Sequence, residues 1–256
     1  MHLPFGHTRS RVSSHYAFIT PDTHVWSTLP GWTGSSFAIH ISPHMGSRFT
    51  QATIKMAPEG RSAMPLPGVQ RFVYVLSGAI EVESIGLKSD DGQLIGKHRF
   101  ESGGFVFFPA DHSHAIRARE EAFLVLFEKP YEPMDGIDYP ELVSGQATEI
   151  ASSAFMGDDA AQLKLLLPNI PSMDMAVNLF TYQPGAALPQ VEIHVMEHGL
   201  IMTGGTGVYR LGDDWFPVQT GDVIWMASYC PQWFVAMGKQ PASYLYYKDI
   251  NRDPLA

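Results

Sequence analysis

Short β-prone runs, separated by glycine and proline, occur twice along the chain in the same order. The run Phe72–Gly78 resembles Gly199–Gly205, and Gly103 with the following run Phe105–Phe108 resembles Gly221 with Val223–Met226. Long stretches with helical periodicity are scarce. Many short strands with turn signals between them are typical of an all-β sandwich or barrel. The repetition therefore predicts two copies of one small β-barrel in a single chain.

The spacing of the two copies supports this interpretation. The offset from Gly78 to Gly205 is 127 residues, whereas the offset from Gly103 to Gly221 is 118. The nine-residue difference coincides with the polar stretch 87–97, which contains Asp90-Asp91-Gly92 and is predicted to be a longer hairpin loop. We expect an N-terminal barrel in residues 1–140 and a C-terminal barrel in residues 141–256, with a linker region at about 131–153.

Composition excludes several classes of function. The net charge is -9 and there is no run of lysine and arginine, so neither a nucleic acid nor an anionic membrane is an expected partner. No apolar run approaches the roughly 18 residues of a membrane span. Cys230 is the single cysteine, which precludes an internal disulfide and fits a reducing compartment. With no long apolar segment at the start of this sequence, we expect a cytoplasmic protein.

The residues with the clearest chemistry lie between positions 191 and 198. Glu192 and His194 are two residues apart and would share one face of a strand, and His198 follows at an even spacing. A single strand histidine is usually structural, but three potential ligands within seven residues predict a divalent metal site. Imidazole and carboxylate ligands suit Mn²⁺ or Fe²⁺ better than a thiolate zinc site, and the sequence does not separate these two ions.

The spacing around this cluster resembles the two motifs of cupin barrels. Gly185, Glu192-x-His194, His198 and Gly205 follow the first motif, and Gly221-x5-Ala227-x-Tyr229-x2-Gln232 follows the second, with Gln232 where the usual histidine stands. This altered set, together with the tail 244–253, resembles the (S)-ureidoglycine aminohydrolases, bicupins of purine catabolism. The resemblance implies two tandem jelly-roll β-barrels and an Mn²⁺ enzyme that releases ammonia from (S)-ureidoglycine to give (S)-ureidoglycolate.

The resemblance also implies roles for individual residues. The implied metal ligands are Glu192, His194, His198 and Gln232. The implied substrate-binding residues are Glu192, Tyr209, Gln232, Tyr244 and Lys248, of which Glu192 and Lys248 are also the candidate catalytic residues. By period two, Tyr244, Tyr246 and Lys248 share one strand face, so an ammonium group could bind a substrate carboxylate or take part in proton transfer. Glu192 could be both a ligand and a proton shuttle.

Other polar residues have plainer interpretations. Glu197 has the wrong parity for the site and is predicted to be structural or exposed, and Cys230 is not assigned as a nucleophile. In the first repeat, Arg71 stands near the position of His198, and His114 remains at the second-motif position. One imidazole holds a metal poorly, so the N-terminal barrel is predicted to be metal-free and structural.

Two alternatives to this hydrolase remain open. One is another metal-dependent cupin enzyme such as a dioxygenase, although such enzymes usually retain three histidines where this chain has Gln232. The other is a non-enzymatic bicupin that binds a small molecule. In every case the expected partner is a small molecule, and we expect a homo-oligomer.

Overall fold

The computed structural model describes residues 7–88 and 96–253, and these residues form an all-β protein. The predicted tip of the long hairpin, Asp90-Asp91-Gly92, lies outside the described residues. Two short 3-10 helices are present, Pro21–Thr23 and Pro43–Met45. The strands are β1 (Arg11–Val12), β2 (Tyr16–Ile19), β3 (Trp26–Ser27), β4 (Thr33–Ile41), β5 (Thr50–Arg61), β6 (Val69–Ser77), β7 (Ala79–Ser84), β8 (Lys97–Glu101), β9 (Gly104–Phe108), β10 (His114–Ala118), β11 (Ala122–Pro130), β12 (Val143–Gln146), β13 (Ser153–Phe155), β14 (Asp158–Leu165), β15 (Met175–Tyr182), β16 (His198–Gly204), β17 (Thr206–Leu211), β18 (Asp214–Gln219), β19 (Val223–Met226), β20 (Gln232–Met237) and β21 (Ala242–Asp249).

The contacts divide the chain into two compact units. One unit, called here the N-terminal barrel, contains residues 25–150 and 170–173. The other, called the C-terminal barrel, contains the described parts of 1–24 and 174–256 together with 151–169. The split into residues 1–140 and 141–256 stays a prediction about domains. Each unit contains more than one stretch of the chain: the described part of residues 1–24 groups with the C-terminal barrel, and residues 170–173 group with the N-terminal barrel.

Both units have the same strand order. In the N-terminal barrel one sheet runs β12-β9-β6-β11-β5-β10-β7-β8, with β4 also paired to β5. In the C-terminal barrel one sheet contains β2-β19-β16-β21-β15-β14, and a second contains β18-β17-β20. The predicted repeat is confirmed down to the residue register. Val75 pairs with Leu124, and Met202, 127 residues after Val75, pairs with Tyr244.

An irregularity of the strand pairing is repeated as well. In each unit the register between the two central strands shifts next to the turn that starts with Gly78 or Gly205. Both glycines have positive φ angles, 74° and 71°. A Cβ atom on Gly78 would overlap the carbonyl oxygen of Glu121, and one on Gly205 would overlap that of Pro241. Only glycine fits a turn with this backbone conformation and this close approach, which explains why glycine marks both copies.

The segment before residue 25 completes the C-terminal barrel. Strand β2 pairs with β19 on the edge that β12 occupies beside β9 in the other unit. Arg9 fixes this segment through a bidentate ion pair with Asp222, at 2.9 and 2.8 Å, and a hydrogen bond to the carbonyl oxygen of Pro217. The side chain of Asp222 is fully buried.

The interior of the N-terminal barrel is mostly apolar. Inward-facing residues of its central strands are buried aliphatic and aromatic side chains, including Ile54, Val75 and Leu124. Continuous apolar strands of this kind are expected where both faces of a sheet are covered. Among the described residues, no helix is long and apolar enough to cross a lipid bilayer.

Candidate metal and substrate site

A small cavity opens into the interior of the C-terminal barrel. Its volume is ≈ 190 Å³, below the roughly 300–1,000 Å³ typical of drug-sized ligands. The cavity is therefore suited to a small metabolite. It is lined by Phe155, Phe180, Leu188, Glu192, His194, Met196, His198, Leu200, Tyr209, Gln232, Tyr244, Tyr246 and Lys248. All seven site residues predicted from the sequence thus face one cavity.

Glu192 and Gln232 are held together by the backbone. They form an isolated antiparallel bridge, with the amide nitrogen of Glu192 2.8 Å from the carbonyl oxygen of Gln232 and the reverse hydrogen bond at 3.0 Å. The prediction that His194 shares a continuous strand face with Glu192 is wrong, because the residues between this bridge and β16 are irregular. The side chains converge because the bridge fixes one end of the segment and β16 fixes the other.

The imidazole of His194 is oriented by its own neighbours. Its Nδ1 lies 3.0 Å from the carbonyl oxygen of Met196 and donates to it, so the lone pair of the ring is on Nε2. The amide nitrogen Nε2 of Gln232 is 2.8 Å from Nε2 of His194, and Oε2 of Glu192 is 3.9 Å from the same ring nitrogen. Metal-binding histidines usually donate their second ring N–H to a carbonyl or carboxylate in this way.

His198 supplies a second imidazole at the start of β16. Its ring centroid is 4.5 Å from that of His194. Burial lowers the pKa of His198 well below its ordinary value, so the ring is neutral and able to act as a ligand. Its Nδ1 is buried and has no hydrogen-bond partner within the described ranges. Unpaired buried nitrogens are costly, so the described residues alone leave this imidazole incompletely satisfied.

These four residues fit a divalent cation by their chemistry. Two neutral imidazoles, one carboxylate and one amide form a mixed nitrogen and oxygen donor set of the kind that Mn²⁺ and Fe²⁺ accept. The arrangement is open rather than preformed, since no three His, Cys, Asp or Glu side chains of the described residues already converge as a closed metal cluster.

Lys248 brings a positive charge to the same cavity. It lies directly opposite His198 in the pairing of β16 with β21. Burial lowers the pKa of Lys248, while the charge of Glu192 acts in the opposite direction. Burial likewise raises the pKa of Glu192, against the influence of His194 and Lys248. A carboxyl group with a raised pKa is suited to accept and return a proton.

A tyrosine cluster forms the inner wall of the cavity. Burial raises the pKa of Tyr209 and Tyr244, so both hydroxyl groups are protonated and can donate hydrogen bonds. Tyr209 donates to Oε1 of Gln232 at 3.3 Å. The hydroxyl groups of Tyr244 and Tyr182 lie 3.0 Å apart. Tyr182 and Asn178 were not predicted from the sequence. The repeat does contain a signal for them, since these polar residues stand where the first copy has the apolar residues Met56 and Ala52.

The predictions for the two remaining polar residues near the site agree with the structure. Glu197 is buried outside the cavity, and its Oε2 accepts a hydrogen bond from Nε1 of Trp225 at 3.1 Å, so it is structural. Cys230 is buried and burial raises the pKa of its thiol, which disfavours the nucleophilic thiolate.

Comparison with known proteins places this geometry in a family. Residues 178–247 match the family model described as a cupin domain. A probable (S)-ureidoglycine aminohydrolase from Oryza sativa subsp. japonica is 39% identical over 98% of this chain and 78% of its own length. The (S)-ureidoglycine aminohydrolase of Escherichia coli K12 is 31% identical over 93% of this chain and 90% of its own length.

Solved structures agree with these relatives. A crystal structure of the Escherichia coli protein Ylba has a TM-score of 0.82 at 29% identity and covers 96% of both chains. The structure of a putative glyoxylate-induced protein from Pseudomonas aeruginosa has a TM-score of 0.86 at 28% identity, covering 98% of this chain and 94% of that one. The predicted bicupin fold is thereby confirmed, and the chain belongs to the (S)-ureidoglycine aminohydrolase family.

Proposed function

We propose that this protein hydrolyses (S)-ureidoglycine to (S)-ureidoglycolate and ammonia in purine catabolism, with one Mn²⁺ ion bound in the C-terminal barrel. The observation that carries this proposal is the meeting of Glu192, His194, His198, Gln232 and Lys248 in one cavity of ≈ 190 Å³. The names of the relatives supply the substrate. Fe²⁺ has the same ligand preferences and is the alternative ion.

The metal would be held by Glu192, His194, His198 and Gln232. When bound there, a divalent ion supplies a Lewis acid that polarises a water molecule or the amino group of the substrate. The set contains one negative charge, from Glu192, which leaves the ion electrophilic. Because burial keeps the pKa of His198 well below its ordinary value, this imidazole does not have to lose a proton before it binds a metal.

The remaining residues can bind and orient the substrate. The ammonium group of Lys248 pairs with the substrate carboxylate, which compensates the cost of burying that charge. Tyr244 can donate a hydrogen bond to the substrate from the inner wall, while Tyr209, which donates its proton to Oε1 of Gln232, offers its hydroxyl oxygen as an acceptor. Fixing the substrate in a small enclosed cavity holds one face toward the incoming water, as a stereospecific product requires.

Glu192 is the best candidate for moving the proton. Loss of ammonia requires a proton on the leaving amine, and addition of water to the resulting imine carbon releases one proton. The carboxylate oxygen of Glu192 that does not hold the metal can carry a proton between the water and the leaving amine, so that the net reaction consumes one water and releases one ammonia.

The test is ammonia release from (S)-ureidoglycine by Mn²⁺-loaded protein, together with metal analysis. We expect about one metal ion per chain in the wild type, a loss of metal in His194→Ala, and loss of at least roughly 100-fold in turnover in Glu192→Gln, in line with general acid–base catalysis. His44→Ala is the matched control, because His44 is exposed and lies in the other unit.

Two outcomes would contradict the proposal. Unchanged turnover in Glu192→Gln would remove that residue from the mechanism. A wild-type protein that binds metal and consumes oxygen, but releases no ammonia, would instead favour the metal-dependent dioxygenase. Association into a homo-oligomer stays a prediction, for which sedimentation velocity is the direct measurement.

A further inference from the structure

Tyr246, which lines the cavity, is paired with a buried polar residue outside the lining, Asn178. The two residues are directly opposite each other on β15 and β21. Nδ2 of Asn178 donates to the hydroxyl oxygen of Tyr246 at 2.9 Å. Asn178 is 1% exposed and Tyr246 is 7% exposed. Burying polar groups costs free energy unless they are hydrogen-bonded, and the bond between these two side chains offsets only part of that cost, because Oδ1 of Asn178 has no partner among the described residues.

The N-terminal barrel shows that the fold does not need this pair. Ala52 and Leu126 are paired in the same register on β5 and β11, as Asn178 and Tyr246 are on β15 and β21. Both are buried and apolar. The barrel interior is therefore stable with hydrocarbon at these two positions. The polar pair occurs only in the copy whose interior opens into the candidate site.

The surroundings fix both the ring and the hydroxyl group of Tyr246. Its ring lies nearly parallel to those of Phe180 and His198, at centroid distances of 5.5 and 5.7 Å. Because Asn178 donates to the hydroxyl oxygen, it does not take up the hydroxyl proton. Tyr246 lines the cavity, so this proton is available to a ligand there. Oδ1 of Asn178 is itself buried with no partner in the described structure.

We propose that Tyr246 donates a hydrogen bond to the ureido carbonyl oxygen of the substrate, and that Asn178 positions the hydroxyl group for this contact. This inference rests on the proposed function for the identity of the substrate. Lys248, two residues nearer the barrel rim on the same strand face, takes the carboxylate. A neutral donor deep in the barrel is then matched with the neutral, hydrogen-bonding end of the molecule, where a second charge would be poorly solvated.

The test uses two ligands of the same shape and needs no turnover. N-carbamoylglycine carries the carboxylate and the ureido group, whereas 4-methylpentanoate replaces the ureido group with an isosteric hydrocarbon. Affinities of both for Mn²⁺-loaded protein are measured by titration calorimetry. Tyr246→Phe should weaken N-carbamoylglycine about 3- to 10-fold, as expected for one neutral hydrogen bond, and should not weaken 4-methylpentanoate.

Asn178→Asp separates positioning from packing. An aspartate accepts the phenol proton and turns it away from the cavity, so this variant should weaken N-carbamoylglycine as Tyr246→Phe does. The double variant should be no weaker than Tyr246→Phe alone. Tyr74→Phe, which removes a buried phenol hydroxyl from the N-terminal barrel, is the control and should bind both ligands like the wild type.

The outcomes are distinct from those that test the proposed function. Equal affinity of wild type and Tyr246→Phe for N-carbamoylglycine would overturn the contact, and so would an equal loss for both ligands. Unchanged affinity in Asn178→Asp would overturn the positioning role of Asn178. Failure of the wild type to release ammonia from (S)-ureidoglycine contradicts the proposed function alone, since the calorimetric comparison is independent of that reaction.

Discussion

Replacement of Arg71 offers a quantitative test of how the N-terminal barrel is stabilised. Arg71 is 2% exposed and stands in the register position of His198, while Glu128 stands in that of Lys248. The guanidinium contacts Oε1 of Glu128 through Nη2 at 2.6 Å and Nε at 2.7 Å. Nη1 donates to the carbonyl oxygen of Ala63 at 2.8 Å and lies 3.1 Å from Nε2 of His114. A guanidinium with its own acceptors thus occupies the region that corresponds to the candidate metal site.

The expected costs differ for the two partners of this ion pair. Removing one member of a buried pair typically costs about 3–5 kcal/mol, because the other charge is left uncompensated. Glu128 is 24% exposed and can be partly rehydrated, so Arg71→Met should cost about 2–3 kcal/mol. Glu128→Leu leaves the guanidinium inside and should cost about 4–5 kcal/mol. The double variant should be more stable than the sum of the two costs implies.

Urea unfolding followed by circular dichroism measures these differences. Ammonia release and metal content at 25 °C should stay at wild-type levels, since Arg71 and Glu128 lie in the N-terminal barrel and not in the candidate site. Strictly additive costs in the double variant would refute the assignment of a mutually dependent ion pair. Equal costs for the two single variants would refute the role given to the partial exposure of Glu128. Loss of bound metal in Arg71→Met would refute the separation of the two barrels' roles.

Three further results are expected. Burial lowers the pKa of His114 from 6.5 to about 4. The unfolded chain therefore binds a proton at a higher pH than the folded chain does, and the free energy of unfolding falls as the pH drops from about 6.5 toward 4. His114→Gln should reduce this loss of stability, measured as the difference between urea unfolding at pH 7 and at pH 5. Gly205→Ala should destabilise the protein by more than about 1 kcal/mol in thermal unfolding, because Gly205 has a positive φ angle and lies close to the carbonyl oxygen of Pro241. Gly46 also has a positive φ angle but has open space around it, so Gly46→Ala should cost less stability. Arg9→Ala leaves the buried carboxylate of Asp222 unpaired, so limited proteolysis should cleave the segment before residue 25 faster than in the wild type, and an unchanged cleavage rate would contradict the anchoring role of this ion pair.

Much of the fold could be predicted because the sequence contains two copies of the same strand pattern, which can be compared with each other. The offsets of 127 and 118 residues, visible between pairs of glycines, are the offsets that relate the paired strands. Gly78 and Gly205 mark the repeat in the sequence because each combines a positive φ angle with a carbonyl oxygen too close for a Cβ atom. The position of the segment before residue 25 could not be predicted, because the pairing of β2 with β19 depends on contacts across about 200 residues of sequence.

The residues of the candidate site could be predicted from the motif spacing, although the backbone that carries some of them is irregular. Glu192, His194, His198 and Gln232 reach one cavity even though the expected strand face around His194 is absent. Asn178 was not predicted, because nothing local distinguishes it from an ordinary strand residue. Its partner on β21 is known only when the register of two distant strands is known.

The place of β2 at the edge of the C-terminal barrel has a consequence for biosynthesis. During translation, residues 7–24 emerge long before Val223–Met226, the strand beside which β2 finally lies. The first described part of the chain is therefore among the last to find its place, and until then a strand edge of Val223, Ile224, Trp225 and Met226 has no neighbour on that side. An unpaired apolar edge is a site for association with other chains. A fragment that begins at residue 141 would lack β2 and would keep that edge of β19 exposed, so the C-terminal half of the chain does not by itself contain a complete C-terminal barrel.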